Sequence, residues 1–170
     1  MIVDSGNRTE FSSGAVRDMH GEGKGRCDLM PLWVIGETFN NDILRKIGDF
    51  IYCGDPELIM QACRDFVIEY YDSIPDALLE LSIHYLEGSQ KYQERNWEKG
   101  IKLHSYIDSA VRHYLKFIRG DEDERHDRSF LWNLFGALWT IENKPELADL
   151  PGFQALAGEM FKNSLLSDED

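Results

Sequence analysis

The chain has 170 residues, 42% of them hydrophobic and 29% charged, with a net charge of -13. That length and balance describe a folded domain with a sizeable core rather than a disordered chain. An acidic surface repels nucleic-acid phosphates, so wholesale DNA or RNA binding is excluded; a small phosphorylated ligand is not, because a bound divalent cation inverts the local field.

The first thirty residues read as an extended N-terminal arm (1–30). They carry Ser12-Ser13-Gly14-Ala15-Val16-Arg17-Asp18 and Gly21-Glu22-Gly23-Lys24-Gly25-Arg26, with no hydrophobic period and little that can pack. Glycines beside Arg17, Lys24 and Arg26 also suit an anion, because backbone N–H groups can approach it while the cations neutralise it. The start, Met1-Ile2-Val3-Asp4-Ser5-Gly6, turns polar at once, so no signal peptide is expected. No apolar run reaches the ~20 residues that cross a bilayer, and a cytoplasmic protein without membrane partners is expected. Cys27, Cys53 and Cys63 are odd in number and form no C-x-x-C pair, which predicts buried free thiols.

Residues 31–145 read as one helical domain. From Thr38, a stripe of Phe39, Ile43, Ile47, Phe50 and Ile51 predicts a helix that Gly54 stops. Asp55 caps the next, with Pro56 at its first position and Leu58, Ile59, Ala62, Cys63, Phe66, Val67 and Tyr70 on the core side. Ser73-Ile74-Pro75-Asp76 starts a third, in which Leu78, Leu81, Ser82 and Tyr85 face the core while Glu80, His84, Glu87 and Lys91 share another side. A polar loop with Arg95, Asn96 and Trp97 follows. Ser105 is the expected cap of a helix running to about Ile118, and Gly120 its end. A last helix is predicted from about Glu124 to Ile141, and residues 146–170 form an extension ending in the acidic tail Ser167-Asp168-Glu169-Asp170. Without alternating strand patterns or repeats, the class is all-α.

The chemistry concentrates between Glu80 and Asn133. Glu124 and Asp127 are three apart, so on one helix they are neighbours able to meet a single ion, with Glu87 on a facing helix. Carboxylates in a helix's first turn are equally explained by the helix dipole. His126-Asp127 resembles the paired ligands of HD-type phosphohydrolases, with His84, His104 or His113 as the upstream histidine. Asn133 sits inside an apolar helix, where its amide either orders a neighbouring loop or meets a ligand. Trp97 is core or a base-stacking surface.

Several segments stand together in an order that resembles a known family. They are Ser13-Gly14-Ala15-Val16-Arg17-Asp18, Gly23-Lys24-Gly25-Arg26-Cys27-Asp28-Leu29-Met30-Pro31, Tyr85-Leu86-Glu87-Gly88-Ser89-Gln90-Lys91-Tyr92, Arg95-Asn96-Trp97-Glu98-Lys99-Gly100, Ser109-Ala110-Val111-Arg112-His113, and His126 through Trp132-Asn133. The resemblance covers residues 12 to about 142. The family is the phage and prophage dATP/dGTP diphosphohydrolase N-terminal domain, related to the MazG-like all-α nucleotide pyrophosphatases. It implies an antiparallel helical bundle in a homo-oligomer, a dimer or a tetramer. It also implies an essential Mg²⁺ or Mn²⁺ and cleavage of a purine deoxynucleoside triphosphate to monophosphate and pyrophosphate.

MazG-like enzymes pair an E-x-x-E helix with an E-x-x-D helix. Glu124-Arg125-His126-Asp127 matches the second. The first is represented by Glu87, with His84 three residues before it and Glu80 a turn further back. On this resemblance Glu87, Glu124 and Asp127 hold the metal, and Glu80 or Glu122 accepts a proton from water. Lys91, Arg95 and Arg112 neutralise pyrophosphate, and Asn96, Trp97 and Asn133 meet the base or sugar. Arg17, Lys24 and Arg26 close over the phosphates, and His113 and His126 lie beside them. The alternatives are a nucleotide-binding or interaction module without catalysis, and an HD-type phosphohydrolase.

Overall fold

Local chemistry places most helix ends in the computed structural model, which describes residues 8–18 and 24–155. The asparagine Asn41 accepts a hydrogen bond from the Leu44 N–H and starts α2 (Asp42–Cys53), which Gly54 ends in the left-handed region at φ 72°. The Asp55 carboxylate accepts from the Glu57 N–H, Pro56 follows, and α3 runs Pro56–Tyr70. Ser73 caps α4 (Ile74–Tyr92) by accepting from the Asp76 N–H. Each such cap satisfies a donor that the helix itself leaves orphaned.

Three boundaries differ from the sequence expectation. Leu32–Thr38 is a separate short helix, α1, and Phe39 lies just past its end, 76% exposed, rather than on the α2 stripe. The helix α5 spans Leu103–Arg119, so Ser105 is inside it and Lys102 precedes it without a side-chain cap. The last helix, α6, spans His126–Asn143, so Glu122, Asp123 and Glu124 belong to the turn before it.

Helices α5 and α6 form the central pair, with α3 and α4 against them and α1–α2 at the far side. Gly136 of α6 permits the close approach: a Cβ there would sit 2.4 Å from the Tyr106 ring. Phe66 is wholly buried where α3 meets this pair, with its ring 4.6 Å from Phe130, 5.3 Å from Phe117 and 6.2 Å from Tyr114 between centroids. Burial of one such side chain contributes roughly 1.5–3 kcal/mol. The all-α class holds, with one small antiparallel hairpin of β1 (Arg8–Glu10) and β2 (Val16–Asp18) in register Thr9 opposite Arg17.

The hairpin is not a loose arm. Ala15 is fully buried, and the Asn96 side chain grips β2 at both polar groups of Val16, accepting from its N–H at 3.0 Å and donating to its carbonyl at 2.8 Å. The tail of the helical body also packs home: Leu150 is buried, and Phe153 meets the Phe50 ring edge-on at 5.8 Å.

In α4 the inward face is shifted from the one the apolar pattern suggests. Ala77, Leu81 and His84 are buried, while Leu78 is 51% exposed and Ser82 is exposed. The polar row Glu80, His84, Glu87 and Lys91 therefore turns toward α6 and the hairpin, because partners there satisfy it: Arg128 for Glu80, and Asp18 for Lys91 at 2.7 Å. Of the thiols, Cys63 is buried and its pKa is pushed up to about 12 by desolvation, whereas Cys53 is exposed and Cys27 half-buried. Among the described residues no helix is long and apolar enough to cross a membrane. The acidic tail lies outside the described residues.

Candidate active-site cleft

A cleft of about 930 Å³ opens between the hairpin, the end of α4, the 93–97 loop, α5 and the start of α6. That is the size range of small-molecule sites. Along α5 it is lined from His104 to Lys116, a rise of about 18 Å at helical geometry. The lining carries five cations, Arg17, Lys24, Arg95, Arg112 and Lys116, against four carboxylates, Asp18, Glu94, Asp123 and Glu124. In a chain of net charge -13 the lining is close to charge balance, so it repels an anion less than the rest of the surface does.

One end of the cleft is aromatic. Trp97 packs edge-on against Trp139, at 5.2 Å between centroids, and against Tyr85 at 6.0 Å, so it is partly core and partly wall. The side wall is built by Arg17. Its guanidinium donates to the Ser105 carbonyl at 3.0 Å and to the Asn133 Oδ1, and lies over the Tyr106 and Trp132 rings. Burial lowers the Arg17 pKa. Asn133 completes its own satisfaction by donating to the Ser129 carbonyl at 2.7 Å. The asparagines expected to meet a base thus have other duties: Asn133 orients Arg17, and Asn96 holds β2.

The other end carries a convergent set of ligand atoms. His113 Nδ1 and His126 Nδ1 are 3.0 Å apart, and Glu124 Oε1 lies 3.2 Å from the first and 3.4 Å from the second. His126 Nε2 is 2.7 Å from Asp123 Oδ1, which ties that side of the ring down. Burial, then the neighbouring His126, holds the His113 pKa well below the usual imidazole range. Lys116 and His126 hold the Asp123 pKa down at about 2.

The metal set expected from the sequence is not assembled. Among the described residues, the groups of three whose ligand atoms converge are His113, Glu124 and His126, and Asp121, Asp123 and His126. Asp127 has turned to the other side of α6. It accepts from the Tyr71 hydroxyl at 2.8 Å and from Arg125 at 2.7 and 3.0 Å. Burial raises its pKa, but these hydrogen bonds outweigh burial and the net shift is downward. Glu80 belongs to the same cluster, accepting from Arg128 at 2.8 Å with Arg125 at 3.1 Å. Glu87 does not line the cleft, and Glu122 is exposed outside it. The reason is the start of α6: with Glu124 in the turn and Asp127 in the first helical turn, the two do not share a face. The HD-type pairing is not assembled either, because the Asp127 carboxylate is taken by Tyr71 and Arg125 while His126 faces His113, Asp123 and Glu124.

The cations divide similarly. Arg112 lines the cleft but is pinned by Asp108, and it reaches the Gly25 carbonyl at 3.3 Å. Lys116 pairs with Asp123 at 2.8 Å and Arg95 with Glu98 at 2.6 Å. Arg26 is bound to Asp28 at 2.6 and 2.7 Å, away from the cleft lining, and Lys91 to Asp18. The glycines Gly21 and Gly23 of the anticipated anion loop lie outside the described residues. Lys116, Asp123, Ser109, Ser129 and Trp132 join the lining without having been foreseen. Lys116 was legible, one helical turn beyond Arg112. The serines carry no signal that separates them from ordinary helix packing.

An all-α body thus carries one large cleft, closed at one end by aromatic rings and bordered at the other by histidines and a carboxylate. Residues 64–150, more than half of the chain, match the family described as "dATP/dGTP diphosphohydrolase, N-terminal", and the chain belongs to that family. The hairpin residues lie before the matched range. Comparison with curated proteins and with solved structures returned no match.

Proposed function

We propose that the cleft hydrolyses a purine deoxynucleoside triphosphate, dATP or dGTP, to the monophosphate and pyrophosphate, with a divalent cation such as Mg²⁺ or Mn²⁺. The observation that carries this reading is the layout of the cleft. Lys116 pairs with Asp123 next to Glu124 at one end, Arg112 lies one helical turn before Lys116 on α5, and Trp97 lies toward the other end. The span along α5 suits a nucleotide laid with its base toward Trp97 and its phosphates toward Lys116. The family's name supplies the substrate class.

Phosphoryl transfer asks a protein mainly for positioning and charge neutralisation. Arg112 and Lys116 are held in place by Asp108 and Asp123, so their charges are preorganised and not free to collapse onto the substrate. A cation held at the Glu124 corner would polarise the α-phosphate and lower the pKa of the attacking water. Glu80 and Glu122, to which the sequence assigned the role of proton acceptor, lie outside the cleft lining. Arg17 keeps the hairpin seated as the cleft wall.

A homo-oligomer, dimer or tetramer, belongs to the same reading. Its support is the outward half of α4, where Ile74, Leu78, Leu79, Ile83 and Leu86 are all exposed. A cytoplasmic, phage or prophage setting with a MazG-like mechanism completes the proposal.

The test is the product spectrum. The pure protein is incubated with each dNTP, with Mg²⁺, Mn²⁺ or EDTA, and the products are resolved by phosphorus NMR. The expected result is metal-dependent pyrophosphate from dATP or dGTP. Tripolyphosphate or inorganic phosphate would overturn the bond assignment, and nucleotide binding without any product would make the chain a binding module.

A further inference from the structure

The corner at the α5–α6 junction has a geometry that hydrogen bonding alone does not explain. The atoms His113 Nδ1, His126 Nδ1 and Glu124 Oε1 form a triangle with edges of 3.0, 3.2 and 3.4 Å. One proton between two ring nitrogens can satisfy a single edge. The third corner is a carboxylate oxygen, which is an acceptor only when ionised. A metal ion at about 2.0–2.1 Å from each donor would set donor pairs about 2.9 Å apart at right angles and about 3.4 Å apart at the tetrahedral angle. The observed edges span that interval.

The surroundings fit the same reading. The contact of His126 Nε2 with Asp123 Oδ1 favours the proton on Nε2 and leaves Nδ1 as a lone pair aimed into the triangle. A carboxylate behind a ligating histidine fixes the tautomer and raises the basicity of the ligand. His126 is only 1% exposed at its side chain, and His113 and Glu124 line the cleft, so the triangle is rigid on one side and open to solvent and substrate on the other. Neutral imidazole is the form in which both histidines would serve as ligands.

We propose that His113, Glu124 and His126 form a divalent transition-metal site that takes Mn²⁺, Co²⁺ or Zn²⁺ in preference to Mg²⁺. Two imidazoles and one carboxylate suit borderline first-row ions, whereas Mg²⁺ prefers oxygen donors and retained water. The catalytic meaning of this site rests on the proposed hydrolase reading, because the open side of the triangle is where substrate oxygens would reach the ion. The binding itself does not depend on that reading.

The experiment therefore uses no nucleotide. The metal-free full chain is titrated with Co²⁺ and followed by visible absorption. A d–d spectrum should grow to one ion per chain, collapse on addition of Zn²⁺ and survive a hundredfold excess of Mg²⁺. His113→Gln and Glu124→Gln should each weaken Co²⁺ binding at least about tenfold, as loss of even an outer-shell partner does. Asp127→Asn should leave the spectrum unchanged. His126 is the most buried member, so His126→Gln is read only alongside circular dichroism, with the other two variants deciding. Absence of a d–d spectrum, a spectrum insensitive to both variants, or displacement by Mg²⁺ would each overturn the site. Failure of hydrolysis with this spectrum intact would overturn the activity and leave the site standing.

Discussion

Two groups of carboxylates lie within five residues of each other in the chain, at Asp123–Glu124 and at Asp127. They face different neighbours. Glu124 meets His113 and His126 at the mouth of the cleft, and Asp123 backs His126. Asp127 meets Arg125 and Tyr71, while Glu80 meets Arg128 and Arg125 on the α4 side. In the second group every acid has a guanidinium or phenol partner, so its charge is used to join α3, α4 and α6. In the first, the acids are paired with imidazoles that are themselves potential ligands, and the group borders open volume. A carboxylate's sequence neighbours therefore say less about its role than the charge and hardness of what it touches.

That contrast can be broken by substitution. Glu124→Gln should reduce pyrophosphate release by about 10³-fold, the scale seen when a preorganised electrostatic contact to the reacting group is removed, with little change in the urea midpoint. Asp127→Ala should do the reverse. Removing the Asp127 carboxylate leaves the Tyr71 hydroxyl and the half-exposed Arg125 without their acceptor, a cost of about 2 kcal/mol once the solvent access of Arg125 is discounted. Turnover per folded molecule should stay within about twofold, and a loss comparable to that of Glu124→Gln would merge the two groups.

The smallest effect is a pH dependence. Burial pushes the His84 pKa down to about 4, while the unfolded chain titrates near 6.5. The unfolded state then binds the extra proton first, so stability is full above about pH 6.5 and declines as pH falls toward 4. Between about pH 6.5 and pH 5 the loss should be about 1.5 kcal/mol. Urea titrations across that range should show the slope, and His84→Phe should reduce it, with the remainder belonging to His113, whose pKa burial also lowers. An unchanged slope in the variant would place the titrating group elsewhere.

Much of the fold was legible because its signals are local. Asp55-Pro56, Ser73, Gly54 and Gly120 mark helix ends through their own side chains or lack of one, and the stripes from Ile43 to Ile51 on α2 and from Leu58 to Val67 on α3 point inward as their spacing requires, while Tyr70 at the end of α3 is exposed. The face of α4 was not, because its inward residues include Glu80, His84 and Lys91, whose burial depends on Arg128, Trp132 and Asp18 arriving from distant segments. The hairpin was hidden for the same reason: Gly, Ser and Arg look unpackable until Asn96, Asn133 and Tyr106 supply partners. At the site, Glu124, His113, Arg112 and Trp97, each singled out from the sequence, line one cleft, with His126 against His113 and Glu124. The split between Glu124 and Asp127 was beyond the sequence, since it turns on two residues of difference in where α6 begins.

The most direct check on the account is where a nucleotide sits. Hydrogen exchange of the full chain can be compared with and without a dGTP analogue that carries a methylene between the α- and β-phosphates. Slowed exchange in the hairpin at 9–18, the loop at 93–100 and the turn at 121–125, with none in α2 and α3, is the predicted pattern. Protection confined to residues around Tyr71 and Glu80, with the hairpin and the 121–125 turn unchanged, would contradict it and move the reaction to the other carboxylate group.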